Sequence, residues 1–175
     1  MQNAAYDKAS RVRLMVFDVD GILTDGKLLF GPEGEIIKVF HVLDGQGFRL
    51  LEKAGIKVAI ITARQSPMVQ KRAEDLGVEH VYMGAHDKRR AFSALLEKTG
   101  FTPADCGYIG DDLIDLPVLL QVGFSASVPN AHSEVRNRVD YVTHTEGGYG
   151  AAREICDLIL KAQGKYQAIM ETFLQ

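Results

Sequence analysis

Leu14-Met15-Val16-Phe17-Asp18-Val19-Asp20-Gly21 is a four-residue apolar run that ends on two carboxylates and a glycine. A short run of this kind reads as a buried strand, with acids delivered at its carboxyl end. Outward from it, 57–61, 80–83, 108–109 and 124–128 repeat the apolar pattern, with a weaker run at 141–143. Between them lie helix-period segments at 47–53, 67–76, 88–98, 113–121 and 151–163. The third of these places Phe92, Leu95 and Leu96 on one face, with Arg89, Arg90, Glu97 and Lys98 mostly off it. Gly77, Gly100 and Gly164 follow helices as C-cap glycines would. The alternation predicts an α/β fold with a doubly wound, Rossmann-like parallel sheet covered on both faces.

One segment breaks the alternation. From 27 to 40 two strand-like runs flank Gly31-Pro32-Glu33-Gly34, which predicts a β-hairpin with a four-residue turn outside the main sheet. Leu28, Leu29 and Phe30 face Ile36, Ile37, Val39 and Phe40, so both faces of the ribbon are apolar. A two-stranded ribbon is marginal by itself and needs something to pack on.

The length of 175 residues suits one domain spanning 1–175, with a C-terminal tail from about 165 and no inserted cap domain. With 46% hydrophobic and 25% charged residues, the composition is that of an ordinary globular protein. A net charge of -3 and no Lys/Arg stripe leave no electrostatic footprint for nucleic acid. The polar N-terminus lacks the apolar core of a signal peptide, and no apolar run approaches the roughly 20 residues that span a bilayer. Cys106 and Cys156 match no CxxC pattern and read as reduced, buried thiols. A cytoplasmic chain without a membrane partner is expected.

In open α/β sheets, ligands bind beyond the carboxyl ends of the strands. Beyond the strand ends of this chain stand Asp18-Val19-Asp20-Gly21, Thr62-Ala63-Arg64, His86-Asp87-Lys88 and Gly110-Asp111-Asp112. Carboxylates gathered so closely repel one another unless a hard cation sits among them, and Mg²⁺ suits such a cluster. Metal, hydroxyl and ammonium together would neutralise the oxygens of a transferring phosphoryl group. An aspartate can itself attack phosphorus, and water then cleaves the acyl phosphate. Each piece also has a plainer reading. DxDG can be a turn after a strand; Thr62 can be a helix N-cap, a role for which Ser66 competes. Lys88 can be a solvated first-turn residue, and Gly110-Asp111-Asp112 a loop and cap. A calcium loop fits poorly, because the glycine stands fourth rather than sixth. What stands out is the ordered set, four polar clusters each just beyond a strand.

That set resembles the haloacid dehalogenase superfamily, through Asp18-Val19-Asp20-Gly21, Thr62, Lys88 and Gly110-Asp111-Asp112-Leu113-Ile114-Asp115. Along nearly its whole length the chain further resembles the branch of phosphatases acting on 3-deoxy-D-manno-octulosonate 8-phosphate, in lipopolysaccharide synthesis. The hairpin, Asp44-Gly45-Gln46-Gly47 and Gly147-Gly148-Tyr149-Gly150 are features of that branch. The resemblance implies Asp18 as nucleophile and Asp20 as acid/base. It implies Mg²⁺ held by Asp18, the Asp20 carbonyl and Asp111, supported by Asp112 and Asp115. Substrate contacts map onto Asp20, His41 through Asp44 and Gly45, Arg49, Thr62, Arg64, Arg72 and Lys88; for Arg72 a solvated helix residue is the plainer reading. The sequence departs from the branch at His41 and Leu43, where Asn and Arg are expected. The branch also implies a homotetramer built around the hairpins, with the tail of one chain reaching a neighbour's site. Three rivals stand beside this reading. They are a phosphatase for nine-carbon keto-deoxy sugar acid phosphates, a non-catalytic oligomerisation module and a phospho-receiver domain. The receiver fits least, since its lysine comes last and here Lys88 precedes Asp111-Asp112.

Overall fold

The computed structural model describes residues 2–175. Six strands form one parallel sheet in the order β5-β4-β1-β6-β7-β8. They are β1 Leu14–Phe17, β4 Lys57–Ile61, β5 His80–Tyr82, β6 Cys106–Ile109, β7 Phe124–Ser127 and β8 Tyr141–Val142. β1 lies in the middle, with Phe17 in register with Ile60 on one side and Ile109 on the other. Successive side chains of a strand point to opposite faces. Met15 and Phe17 therefore enter one core with Phe48, Ile60 and Ile155, while Leu14 and Val16 enter the other with Phe92, Leu95 and Val118. The Phe17 and Phe48 rings pack with centroids 4.4 Å apart. Truncating a buried phenylalanine such as Phe17 to alanine costs about 3–5 kcal/mol.

Helices α2 Val42–Lys53, α3 Pro67–Leu76, α4 Lys88–Thr99 and α7 Ala151–Ala162 cover the sheet. α2 starts five residues before the expected position. Its glycines are not loop residues: a Cβ on Gly45 would lie 2.6 Å from Arg72 Nη2, and one on Gly47 3.0 Å from Cys156 Sγ. They let α2 approach α3 and α7 closely, which offsets their low helix propensity. The expected helix at 113–121 is instead a 3₁₀ turn, Leu113–Asp115, followed by the short α5 Leu116–Leu119. Pro117 has no N–H with which to continue a helix from Leu113. Three helices had no sequence expectation: α1 Gln2–Ala9, α6 Ser133–Arg136 and α8 Tyr166–Glu171. α1 is anchored by Ala5 and Ala9, too small to write an apolar period into the sequence.

The hairpin is a separate two-stranded sheet, β2 Leu29–Gly31 and β3 Gly34–Ile37. Gly31 pairs with Gly34, so Pro32 and Glu33 alone form the tip, shorter than the expected turn. Leu28, Leu29, Phe30, Ile36, Ile37 and Val39 are exposed, but Phe40 packs partly buried against the core. Cys106 and Cys156 are both buried and free. Among the described residues no helix is long and apolar enough to cross a membrane.

Candidate active site

The sheet's chain order reverses at its centre, where β4 lies on one side of β1 and β6 on the other. Ligands bind at such a switch point. Asp18 follows β1 directly, Thr62 follows β4, and Asp111 stands two residues beyond β6. The loop after Asp18 is tight: the amides of Ile22, Leu23 and Thr24 donate to the Val19 carbonyl at 3.2, 2.9 and 3.1 Å. Gly21 has φ +85°, and a Cβ there would fall 2.0 Å from Asp111 Oδ2. Only glycine lets Asp111 come so close. The loop is braced from behind by Gly147 and Gly148. A Cβ on Gly147 would lie 1.7 Å from the Gly21 carbonyl oxygen, and the Gly148 amide donates to the Ile22 carbonyl at 3.0 Å.

Below the loop is a buried ionic cluster. Lys88 Nζ lies 2.8 Å from Asp18 Oδ1 and 2.6 Å from Asp115 Oδ1. The Tyr108 hydroxyl also donates to Asp115 Oδ1, at 2.6 Å, and the amides of Asp111 and Asp112 donate to Asp115 Oδ2 at 3.1 Å each. Oxygens of Asp18, Asp111 and Asp115 lie within 4.8 Å of one another. With four donors already on Asp115, that residue holds the cluster together, and Asp18 and Asp111 are the better cation ligands. Burial pushes the Asp18 carboxyl well above its usual range, and Asp115 adds to the rise while Lys88 opposes it. Burial, then Asp115 and Asp112, push Asp111 up to about 7. Burial works against the Lys88 charge, but Asp18 and Asp115 outweigh it and hold the ammonium above its ordinary range. Three clustered carboxylates share the single Lys88 ammonium, so the donor set fits a hard divalent cation.

Asp18, Asp20, Thr62, Arg64, Asp111, Asp112 and Ile114 line a cleft of about 230 Å³ above this cluster. Thr62 is buried in it and is not a helix cap; Ser66 holds the N-cap position of α3 without a side-chain bond. Lys88 opens α4 but turns inward, while Asp87 caps that helix through the amides of Arg89 and Arg90. Asp112 is exposed and its Oδ1 accepts from the Leu113 amide at 2.7 Å, so the cap reading of that residue holds. Asp20 Oδ1 accepts from Lys38, whose ammonium also lies 2.8 Å from Glu35 Oε1. Neither hairpin residue was singled out from the sequence. The signal available was a lone lysine in Ile36-Ile37-Lys38-Val39-Phe40. Tyr108 was also missed, since in the sequence it is one more residue of an apolar strand.

The remaining residues that the resemblance implicated lie elsewhere in the chain's own fold. His41, Asp44, Gly45 and Arg72 border a separate cavity of about 10 Å³, room for no more than a water. Asp44 Oδ1 accepts from the Arg153 amide at 2.8 Å, capping α7 from another helix. Burial pushes its carboxyl up to about 6, against the Arg153 amide and the charges of His41 and Arg72. Arg72 donates to the His41 carbonyl at 3.5 Å, so it is no solvated bystander. Arg49 is exposed and donates to the Asp75 carbonyl at 3.3 Å, away from the cleft.

Residues 32–123 match the family described as haloacid dehalogenase-like hydrolase. The 3-deoxy-D-manno-octulosonate 8-phosphate phosphatase KdsC of Salmonella typhi is 50% identical over 158 residues, which cover 90% of this chain and 84% of that protein. The crystal structure of 3-deoxy-D-manno-octulosonate 8-phosphate phosphatase from Moraxella catarrhalis, in complex with magnesium ion, phosphate ion and KDO, superposes with a TM-score of 0.96. That protein is 46% identical, and the match covers 99% of each chain. The phosphatase of the same name from Yersinia pestis gives a TM-score of 0.92 at 45% identity, over 94% of this chain and 89% of that one.

Proposed function

The chain belongs to the haloacid dehalogenase-like hydrolases, and we propose that within that family it is a Mg²⁺-dependent phosphatase for 3-deoxy-D-manno-octulosonate 8-phosphate, serving lipopolysaccharide synthesis. The observation that carries this reading is Asp18, buried at the end of the central strand, with Lys88 at 2.8 Å and Asp111 beside it. In the mechanism we infer, Asp18 Oδ attacks phosphorus as the bond to the sugar oxygen breaks. Asp20 gives that oxygen its proton. Water then attacks the aspartyl phosphate, its proton passes to Asp20, and the Asp18–phosphorus bond breaks to release phosphate. Bound Mg²⁺, held by Asp18, Asp111 and the Asp20 carbonyl, would supply charge neutralisation for the phosphoryl oxygens. Thr62 and Lys88 orient the phosphoryl group, and Arg64 offers a planar cation to a sugar acid.

We further assign 1–175 to one catalytic domain that assembles as a homotetramer in the cytoplasm. Six apolar side chains on the hairpin stay exposed, as an association surface would leave them. Covering that surface with a neighbour would shield a sugar in the cleft from bulk water. The tail has contacts within its own chain: Lys165 Nζ donates to the Ala54 carbonyl at 2.9 Å and Lys53 Nζ to Thr172 Oγ1 at 3.3 Å. Phosphate release across a panel of eight-carbon, nine-carbon and neutral sugar phosphates tests the substrate. A preference for the nine-carbon acid would select the rival phosphatase. Asp18→Asn should lower turnover at least about 10³-fold; a variant with a tenth of wild-type rate would remove Asp18 from the nucleophile's role.

A further inference from the structure

We infer that Lys38 is a positioning residue for Asp20, carried to the cleft by the hairpin; the inference rests on Asp20 being the acid/base. The Lys38 side chain is 1% exposed, although its neighbours Ile37 and Val39 are 47% and 65% exposed. A lysine is withdrawn from water only when its charge is matched. Here two carboxylates match it: Glu35 of its own ribbon at 2.8 Å and Asp20 of the catalytic loop.

Glu35 belongs to the same ribbon, so its pair with Lys38 ties the hairpin to nothing else; the Asp20 contact is the one that joins Lys38 to the catalytic loop. Lys38 takes Oδ1 of Asp20, and Arg64 Nε stands 3.9 Å from Oδ2. Arg64 Nη2 in turn lies 4.0 Å from Glu35 Oε2, which closes a four-membered ring of alternating charge. The hydrogen bond from Lys38 to one oxygen, with the Arg64 charge near the other, restrains rotation of the carboxylate about its Cβ–Cγ bond. General acid/base transfer requires such fixed aim, because the carboxyl must stay within hydrogen-bond reach of the leaving oxygen and then of water. Lys38 itself is not among the residues that line the cleft, and its ammonium is taken up by Asp20 and Glu35.

The test is kcat/KM for Lys38→Met on two substrates, the sugar acid phosphate and p-nitrophenyl phosphate. Loss of aim should lower kcat/KM on the sugar phosphate roughly 10- to 100-fold, mostly through kcat. On p-nitrophenyl phosphate, whose leaving group needs no proton, the loss should stay under about threefold. In an Asp20→Asn background Lys38→Met should cost no more than about twofold further, because residues acting as a unit are non-additive. Lys38→Arg should recover most of the sugar-phosphate rate, and Glu35→Gln, which keeps the Lys38–Asp20 pair, should keep the wild-type dependence on leaving group. Equal losses on both substrates, a loss carried by KM, or additive losses in the double variant overturn the inference. If Asp20→Asn shows no dependence on leaving group, the acid/base assignment itself falls. If Asp20→Asn shows that dependence and Lys38→Met does not, only the role of Lys38 falls.

Discussion

Asp115→Ala should cost the fold about 3–4 kcal/mol even with no metal or substrate present. Asp115 is 0% exposed and accepts from Lys88, Tyr108 and two backbone amides. Removing it leaves the buried Tyr108 hydroxyl without its acceptor, at about 1–3 kcal/mol. Lys88 keeps Asp18 at 2.8 Å but loses its second anion, and a hydrogen bond to a charged group contributes about 1.5–3 kcal/mol. The two amides are only part-buried and can turn to water. Against these losses, Asp18 and Asp111 are relieved of a neighbouring negative charge, which offsets part of them. For 175 residues the unfolding entropy is about 0.37 kcal/mol per kelvin, so the melting temperature should fall by about 8–11 °C. Circular dichroism melts at pH 7 in excess chelator measure this without a contribution from metal release. Asp112→Ala is the control: it removes an exposed cap and should lower the melting temperature by only about 3 °C. If Asp115→Ala melts within about 3 °C of wild type, the cluster does not hold the loops as argued.

Gly147→Ala should lower turnover at least tenfold, because the new Cβ would displace the Gly21 carbonyl and with it the Asp18–Asp20 loop; steady-state kinetics that match wild type would contradict this packing. Chelator should abolish activity, Mg²⁺ restore it and Ca²⁺ fail to, since calcium prefers longer bonds and more ligands; phosphate release in calcium alone would count against the proposed metal. Metal-free protein should lose stability as pH rises from about 4 to about 7. The folded-state affinity of Asp111 for its proton is raised, so its contribution is complete below the unfolded value and vanishes as pH passes about 7. Mg²⁺ should then stabilise more at pH 8 than at pH 5, and melts in chelator that improve from pH 5 to pH 8 would reverse the sign. Replacing Phe30 and Ile37, both exposed on the hairpin, with Asp should give monomers with much reduced activity on the sugar phosphate. Light scattering that finds wild-type monomers at micromolar concentration, with activity flat on dilution, would defeat the tetramer.

Strands β1 and β4 and helix α3 fall where the local pattern puts them, because a buried strand or an amphipathic helix writes its period into its own residues. Asp18, Thr62, Lys88 and Asp111 could be grouped from the sequence for a related reason: in a parallel sheet, the residues just past each strand arrive at one edge. The early start of α2 was not legible. Glycine in a sequence reads as a loop, and only Arg72, Leu76 and Cys156 reveal that at 45 and 47 it makes room for neighbouring helices. Nor was the division of labour among the acids. Asp111, Asp112 and Asp115 are the same residue type within five positions, yet Asp111 lies beside Asp18, Asp112 caps a turn at the cleft's rim and Asp115 holds Lys88 and Tyr108.

By itself, then, the sequence determined the doubly wound sheet, the hairpin and the edge at which the acids gather, since each depends on residues near one another in the chain. Only the tertiary structure decided that His41, Asp44 and Arg72 leave the cleft of their own chain, that Gly147 braces the Gly21 loop, and that Lys38 reaches Asp20. Those outcomes depend on distances between segments up to 126 positions apart (Gly21 to Gly147). Burial and steric fit set such distances, and neither leaves a periodic trace in the chain.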